Sequence, residues 1–358
     1  MFDFFKKPTL GLDLSDLSLK IIQLKRKKQG LPLVNFVKED IPAGFIKGGE
    51  IKKEKELIVI LKEALKKIKG EFSQRKQVIC NLPEEKVFTR VIQLPLMKEE
   101  ELGQAVKWET EAHIPLSIDE VYLDWQIIER PNNHLDHYNI MIAAAPRFLV
   151  DSYLSFLRKS GLKPIALEPE SVAVVRSLIK PDDFTPTIIV DIGASGTNFV
   201  IFSTSAICFT SHIAISGQLF NQAIMENLAV DEKQANQLKI EIGLDRKEEK
   251  VYQALEPLTG NLAKQLRDYI AFYHGQAAHL FGPDSVISRV LLCGGDSLLL
   301  NLPSFLEEKL NLPVELGNPL INISPPDKRK SLVRPPLLSK KEALTYTTAL
   351  GLALREVR

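Results

Sequence analysis

The stretch that decides the fold is TLGLDLSDLSLKIIQL, which runs from Thr9 to Leu24. An apolar run leads into a single acid, Asp13, and a short polar turn is followed by a second apolar run. This pattern is typical of a β-hairpin. Because a carboxylate at the tip of a buried strand is costly unless a positive or hydrogen-bonding group meets it, Asp13 is expected to have a partner.

The same pattern occurs a second time, in TIIVDIGASGTNFVIF from Thr187 to Phe202. Asp191 occupies the place in this stretch that Asp13 occupies in the first. A repeated supersecondary unit in one chain indicates two lobes of similar design. We therefore expect an α/β protein with two lobes, each built around a hairpin whose first strand ends in an acid.

A block of different character, from Leu82 to Pro164, separates the two hairpins. Its sequence predicts a strand in EKVFTRVIQLP, a helix in KEEELGQAVKWETEAHI, strands in EVYLDWQIIER and HYNIMIAAAP, and a helix in RFLVDSYLSFLRKSGL. The order β-α-β-β-α suits a small α+β subdomain inserted in the first lobe.

Composition narrows the class of protein. The chain has 358 residues, of which 45% are hydrophobic and 25% charged, as in an ordinary soluble globular protein with two or more compact units. No apolar stretch is long enough to span a bilayer. Cys80, Cys208 and Cys293 lie far apart in apolar contexts and are expected to be buried free thiols in a reducing compartment.

The charge distribution leaves the type of partner open. Lysine and arginine outnumber acids in the first eighty residues, although the net charge is only +1. This excess favours either a solvated surface or contact with anionic lipid or an acidic partner. Nucleic acid is not an expected partner, because no basic motif interleaved with aromatic residues occurs.

Three turns together predict a nucleotide clamp. The turn after Asp191 is rich in small residues, and CGGDS, from Cys293 to Ser297, places two glycines directly after a predicted strand. Backbone N–H groups of tight turns bind anionic phosphates, and small residues let the backbone approach closely. Asp13 and Asp191 would then hold Mg²⁺ through water, since Mg²⁺ loses its hydration shell reluctantly.

These turns, with further segments, resemble the actin-like ATPase superfamily and most closely its PilM family of type IV pilus assembly proteins, which is related to FtsA. The resemblance covers nearly the whole chain and is most specific in the inserted block. Besides the turns, it is carried by NLPEEKVFTRVIQLP, EEELGQAVKWETEAHIPLSIDEVYLDWQII, AAAPRFLVDSYLSFLRKSGLKPIALEPES, LAKQLRDYIAFYHGQ and ALGLALREV.

The resemblance implies a bilobed actin-like (ribonuclease H-like) fold with two duplicated α/β lobes. Subdomain 1A would comprise residues 1–82 with parts of 165–185 and the C-terminal helix 341–358, and subdomain 1C would comprise 83–164. In the second lobe, subdomain 2A would comprise 186–211 and 286–340, and subdomain 2B would comprise 212–285.

The resemblance also implies what the protein binds. The expected cofactors are ATP or ADP with Mg²⁺, and the expected partner is the N-terminal cytoplasmic peptide of PilN, held in a groove between 1A and 1C. The chain would thereby join the PilN–PilO membrane complex as a cytoplasmic protein peripheral to the inner membrane. The pilus assembly ATPase, the platform protein and further copies of the chain are additional candidate partners.

The residues that the turns and the resemblance assign to nucleotide include Lys264 and Arg267, which lie where the family pattern flanks the adenine. No catalytic residue is assigned. The full set is Asp13, Ser15, Ser18, Lys20, Asp191, Gly193, Ala194, Ser195, Gly196, Thr197, Asn198, Lys264, Arg267, Gly294, Gly295, Asp296 and Ser297.

The first turn departs from the family pattern, which usually has glycine followed by Ser or Thr where this chain has Ser15 and Asp16. A left-handed backbone at Ser15 would cost about 1 kcal/mol. The Asp16 carboxylate would repel the phosphates unless Mg²⁺ intervenes, or it would turn outward or cap the local backbone. Asp268 similarly stands where the family often has a second basic residue.

Two alternative functions and one catalytic question stay open at this point. An FtsA-like membrane-tethering filament protein is disfavoured because no amphipathic helix follows ALREVR, and a phosphotransferase of the same superfamily would need a catalytic acid beside the first turn. Any ATP hydrolysis is expected to be slow. Glu168 or Glu170 would have to orient the water, and a structural role is the stronger expectation for both.

Overall fold

A computed structural model describes residues 9–26, 30–68, 77–128, 137–203, 205–281, 286–324 and 338–355. The chain divides into two compact units. The first comprises Met1–Asp183 and Asn318–Arg358, and the second comprises Phe184–Gly317. Within the described ranges, no helix is both long and apolar enough to cross a membrane.

The first unit is built on a five-stranded sheet in the order β10-β6-β1-β2-β3. β1 pairs with β2 in antiparallel fashion and with β6 in parallel fashion, so the expected hairpin is present. The strands of this sheet are β1 (Leu10–Leu14), β2 (Ser18–Leu24), β3 (Leu33–Asp40), β6 (Gln77–Leu82) and β10 (Lys163–Pro169), and a small hairpin joins β4 (Ile46–Lys47) to β5 (Glu50–Ile51).

Helices cover both faces of this sheet. One face carries a core that includes Leu57, Leu61, Tyr153 and Phe156, and the other carries a core that includes Leu350. The helices are α1 (Glu54–Lys66), α3 (Arg147–Lys159), α4 (Glu170–Leu178), α9 (Lys340–Thr345) and α10 (Thr347–Leu354). The single closing helix expected from the sequence is therefore divided at Tyr346.

The inserted block has the predicted β-α-β-β-α order. Its sheet has the order β7-β9-β8, and α2 packs on one face through a core that includes Leu102, Val106, Ile140 and Ile142. Trp125 packs against this core, whereas Trp108 is 69% exposed. The elements are β7 (Phe88–Pro95), α2 (Glu99–Glu111), β8 (Val121–Ile127) and β9 (His137–Pro146), followed by α3.

The second unit repeats the topology of the first, with strand order β13-β12-β11-β14-β15. β11 pairs antiparallel with β12 and parallel with β14, as β1 pairs with β2 and β6. The elements are β11 (Thr187–Ile192), β12 (Thr197–Ser203), β13 (Ala206–Ile213), α5 (Gly217–Leu228), α6 (Glu232–Glu241), α7 (Glu249–Phe281), β14 (Arg289–Cys293), α8 (Leu302–Leu310) and β15 (Val314–Leu316). The two hairpins predicted two lobes of similar design, and the equivalent strand orders of the two sheets confirm this prediction.

Two further features concern the end of the second lobe and the burial of the cysteines. Subdomain 2A was expected to include 286–340, and the second compact unit ends at Gly317. Asn322 Nδ2 donates to backbone carbonyl oxygens at the end of α4, and Ser324 Oγ accepts from the Leu31 N–H. Cys80 and Cys293 are buried and form no disulfide, as expected, but Cys208 is only half-buried. The finer subdomain boundaries stay predictions.

A close contact between α10 and β1 gives a test of this packing. A Cβ at Gly11 would lie 2.3 Å from the Ala349 carbonyl oxygen and 2.5 Å from the Ala353 nitrogen. We expect Gly11→Ala to lower the free energy of unfolding by about 1–3 kcal/mol, because the helix must move away from the sheet. Urea denaturation measures this change.

The matched control is Gly103→Ala in α2, where an added Cβ would meet no atom within 4 Å. This change is expected to leave stability unaltered or to raise it by up to about 1 kcal/mol, because alanine favours helix more than glycine does. Equal effects of the two substitutions would contradict the close packing of α10 on β1.

Candidate functional site

The first turn is closed by its own serines. The backbone N–H of Ser15 donates to the Ser18 carbonyl oxygen at 2.9 Å, and the Ser15 hydroxyl donates to the same oxygen at 3.0 Å. Positive φ angles at non-glycine residues occur, in the described part of the chain, at Ser205, Ala229, Asn301 and Asn311. Ser15 does not have the left-handed conformation whose cost was considered, so the turn carries no such strain.

Asp16 caps a neighbouring backbone turn. Its Oδ2 accepts from the Gly48 N–H and its Oδ1 from the Gly49 N–H, both at 2.9 Å. Gly48 and Gly49 form the turn of the β4–β5 hairpin, and both have positive φ. Of the alternatives for Asp16, the structure therefore shows the backbone-capping one, with both carboxylate oxygens engaged.

The same glycine turn is held from its other side by α3. The buried Tyr153 hydroxyl donates to the Gly49 carbonyl oxygen at 2.8 Å, and a Cβ at Gly49 would lie 2.3 Å from Cγ of Pro83. Burial raises the pKa of Tyr153 well above its ordinary value, so the phenol keeps its proton and stays a donor. Asp16, the glycine turn and Tyr153 thus form one hydrogen-bonded series.

Asp13 is paired within its own hairpin. It lies opposite Lys20 in the β1–β2 register, and Lys20 Nζ donates to Asp13 Oδ2 at 2.9 Å. Both side chains are largely buried, so the ion pair answers the question of what meets the acid inside the protein. Burial, with the nearby Asp13 carboxylate as a second cause, raises the pKa of the Cys80 thiol, which favours an inert thiol.

The proposed water-orienting acids have structural partners. Glu168, buried at the end of β10, accepts from Nη1 and Nη2 of Arg176, at 2.5 and 3.0 Å, and from Arg355 Nη1 at 2.8 Å. Glu170 accepts from Asn81 Nδ2 at 2.8 Å, and Asn81 also bonds both the N–H and the carbonyl of Leu14. These contacts favour the structural role that was the stronger expectation.

The second turn is tight and is joined to a helix N-terminus. The Gly193 N–H donates to the Gly196 carbonyl oxygen at 2.8 Å. The N–H groups of Gly217 and Gln218, at the start of α5, donate to the carbonyl oxygens of Gly193 and Ala194. Ala194 and Ser195 are exposed at the tip of the turn, where backbone donors are accessible to an anion.

The third turn lies against the second, because β14 is the parallel neighbour of β11. Gly294 has φ +84°, and a Cβ there would lie 2.4 Å from Asp191 Oδ1. Ser297 Oγ donates to the Gly294 carbonyl oxygen at 2.7 Å and fixes the turn. The carboxyl ends of two neighbouring parallel strands thus bring Asp191 and the CGGDS turn together.

Lys239 is a residue of this site that the sequence analysis missed. Although a lysine, it is only 3% exposed, and its Nζ donates to Asp296 Oδ1 at 2.6 Å. The Asp296 carboxylate also covers Gly217, since a Cβ there would lie 2.0 Å from Asp296 Cγ. Asp296 therefore links α6 and the start of α5 to the third turn, and nothing in the polar sequence of α6 distinguished Lys239 from its exposed neighbours.

The two basic residues assigned to the adenine lie on α7. Lys264 is exposed, and Arg267 Nη1 donates to the Lys309 carbonyl oxygen at 3.0 Å, in the last turn of α8. Arg267 thus has a structural role at a helix C-terminus, where a cation is favourable. Contact of either side chain with a nucleotide stays a prediction.

Two sheets of one topology, each with an acid at the end of its first strand, define the class as the bilobed actin-like fold. Solved structures with 14% identity support the fold: the ethanolamine utilization protein EutJ from Carboxydothermus hydrogenoformans (TM-score 0.58, 98% of this chain and 90% of that one) and MreB5 of Spiroplasma citri bound to AMPPNP (TM-score 0.54, 96% and 95%).

The family follows from two further comparisons. The model described as type IV pilus assembly protein PilM matches residues 11–357, and the chain belongs to that family. A solved PilM-PilN type IV pilus biogenesis complex is 28% identical, with a TM-score of 0.78 over 98% of both chains. Neither alternative, the membrane-tethering filament protein or the phosphotransferase, is favoured by these findings.

The Asp16 contacts give a test of the first turn. We expect Asp16→Ala to lower the free energy of unfolding by about 1–3 kcal/mol, because two backbone N–H groups lose a charged acceptor. Asp16→Asn keeps one acceptor oxygen and is expected to lose less. Chemical denaturation of both variants measures the difference, and an alanine variant as stable as the wild type would contradict the capping role.

Proposed function

We propose that the protein is an actin-like, nucleotide-binding scaffold of type IV pilus assembly that docks the N-terminal cytoplasmic peptide of PilN. The observation that carries the proposal is the family match over residues 11–357 together with the similarity to the PilM-PilN complex. The protein would act at the cytoplasmic face of the inner membrane and reach the membrane through this partner.

Exposed apolar side chains in the inserted block support peptide docking. Trp108 is 69% exposed, Phe148 62% and Leu96 58%, and Tyr122 is also exposed. Exposed aromatic and aliphatic side chains of this size suit an extended apolar peptide, whose side chains fill pockets. The groove between 1A and 1C is the proposed place of docking, and Trp108 is the side chain proposed to contact the peptide.

The chemistry of the turns supports binding of ATP or ADP. The second turn offers backbone donors. Gly294 lies so close to Asp191 that a side chain would not fit there, and the bare backbone suits contact with a ribose or a base. No group of three potential metal ligands occurs within the described ranges, so Mg²⁺ would take further ligands from phosphate and water. Asp191 would hold it through water.

The nucleotide proposal is tested by calorimetry. Titration of Mg²⁺-ATP is expected to give binding to the wild type and none to Asp191→Ala, because the carboxylate that holds the hydrated cation is removed. Asp182→Ala, an exposed acid outside all three turns, is the control and is expected to bind like the wild type. If the wild type gives neither heat nor a thermal shift, nucleotide binding is excluded while docking stands.

Docking is tested by a pull-down and a fluorescence titration with the PilN N-terminal peptide from the same genome. Trp108→Ala is expected to weaken binding about tenfold or more, since a buried tryptophan at an interface contributes about 2 kcal/mol or more. Phe272→Ala, which removes an aromatic of the second unit that is 50% exposed, is the control. Absence of wild-type binding, with and without ATP, would count against the scaffold function itself.

A further inference from the structure

A row of three polar side chains crosses the sheet of the second unit at the level of the second turn. Asp191 on β11 pairs with Asn198 on β12, and Asn198 pairs with His212 on β13. Side chains of directly paired residues stand on the same face of a sheet. Asn198 and His212 therefore stand on the face that presents the Asp191 carboxylate.

The His212 imidazole is oriented by its neighbour. Its Nδ1 lies 2.7 Å from Asn198 Oδ1, which is hydrogen-bond distance. With the amide oxygen as acceptor, Nδ1 carries the hydrogen, so the ring is held in one orientation at the sheet surface. His212 is exposed, whereas its strand neighbour Ile213 is buried, so the ring lies where a ligand has access.

The edge of the same ring lies against the second turn. A Cβ at Gly196 would be 2.2 Å from His212 Cε1 and 2.7 Å from Nε2. Any side chain at residue 196 would displace the imidazole, although Gly196 does not have positive φ. The absence of a side chain at residue 196 thus lets the imidazole lie against the turn, and the backbone conformation there does not itself call for glycine.

We infer that His212 contacts the phosphate chain of the nucleotide as an imidazolium, which donates through Nδ1 to Asn198 and through Nε2 to a phosphate oxygen, and that Asn198 is its positioning residue. This inference rests on the proposed nucleotide binding at the second turn. An imidazole edge placed beside exposed backbone donors adds a cationic side-chain group to a turn that otherwise offers a phosphate neutral donors, namely backbone N–H groups and the Ser195 hydroxyl. In the first turn, by contrast, the side chain of Asp16 accepts from the N–H groups of Gly48 and Gly49.

The test compares ligands that differ only in their phosphates. Mg²⁺-ATP, Mg²⁺-ADP and adenosine are titrated calorimetrically into the full chain with His212→Ala, His212→Gln or no substitution. The alanine variant is expected to bind Mg²⁺-ATP about 10- to 100-fold more weakly, the usual effect of losing one hydrogen bond to a charged group, and adenosine within about twofold of the wild type. Glutamine, which keeps a hydrogen-bonding side chain, is expected to recover part of the loss.

Two further variants separate contact from packing. Asn198→Ala is expected to weaken Mg²⁺-ATP binding less than His212→Ala, and to add little when combined with it, because both act through one imidazole. His113→Ala is the matched control, since this half-buried histidine bonds Glu109 on α2 in the first unit. It is expected to leave all three affinities unchanged.

Proton NMR tests the contact directly, because a purely structural role of His212 would not make its signal respond to the phosphates. The chain has six histidines, and the imidazole Cε1–H proton signal lost in His212→Ala identifies that residue. In the wild type this signal is expected to shift with Mg²⁺-ATP and to stay in place with adenosine.

The outcomes distinguish the His212 contact from the proposed nucleotide binding on which it rests. If the wild type binds Mg²⁺-ATP and His212→Ala binds it equally well, or loses adenosine to the same degree, the His212 contact is overturned while nucleotide binding stands. If the wild type binds no nucleotide, both are overturned. A phosphate-dependent loss with glutamine recovery supports the contact.

Discussion

The end of the first strand of each five-stranded sheet carries a carboxylate, and this acid is the constraint on which the rest depends. In the first unit the antiparallel register places Lys20 opposite Asp13, so an ion pair forms across the hairpin. In the second unit the parallel neighbour brings Gly294 against Asp191 Oδ1. One topology thus gives two different surroundings for the same acid, because different strands supply the nearest neighbour.

The first turn closes without a glycine and without left-handed backbone strain. Ser15 and Ser18 close the turn through hydrogen bonds, and Asp16 accepts from the N–H groups of Gly48 and Gly49. Positive φ angles occur instead at these two glycines, in the adjacent hairpin. The tyrosine hydroxyl of α3 holds the same hairpin, so the turn is fixed to the helix that follows the inserted block.

Hydrophobic patterning predicted the architecture well. The two hairpins, the order of elements in the inserted block and the buried Cys80 and Cys293 all follow from strand and helix periodicity. The site was predicted in part: the second and third turns lie together because β11 and β14 are parallel neighbours. The small hairpin at Gly48–Gly49 was missed, since strands of two residues leave no periodic signal.

The sequence by itself determined the duplicated fold, the inserted subdomain and the family, because these depend on local periodicity and on motifs read along the chain. The tertiary structure decided which polar and charged side chains are paired, and with which partner residues. Arg176 and Arg355 hold Glu168, Lys239 holds Asp296, and Asn198 orients His212. These pairings depend on sheet register and helix packing between residues that mostly lie far apart in the chain, and a single sequence does not specify such contacts.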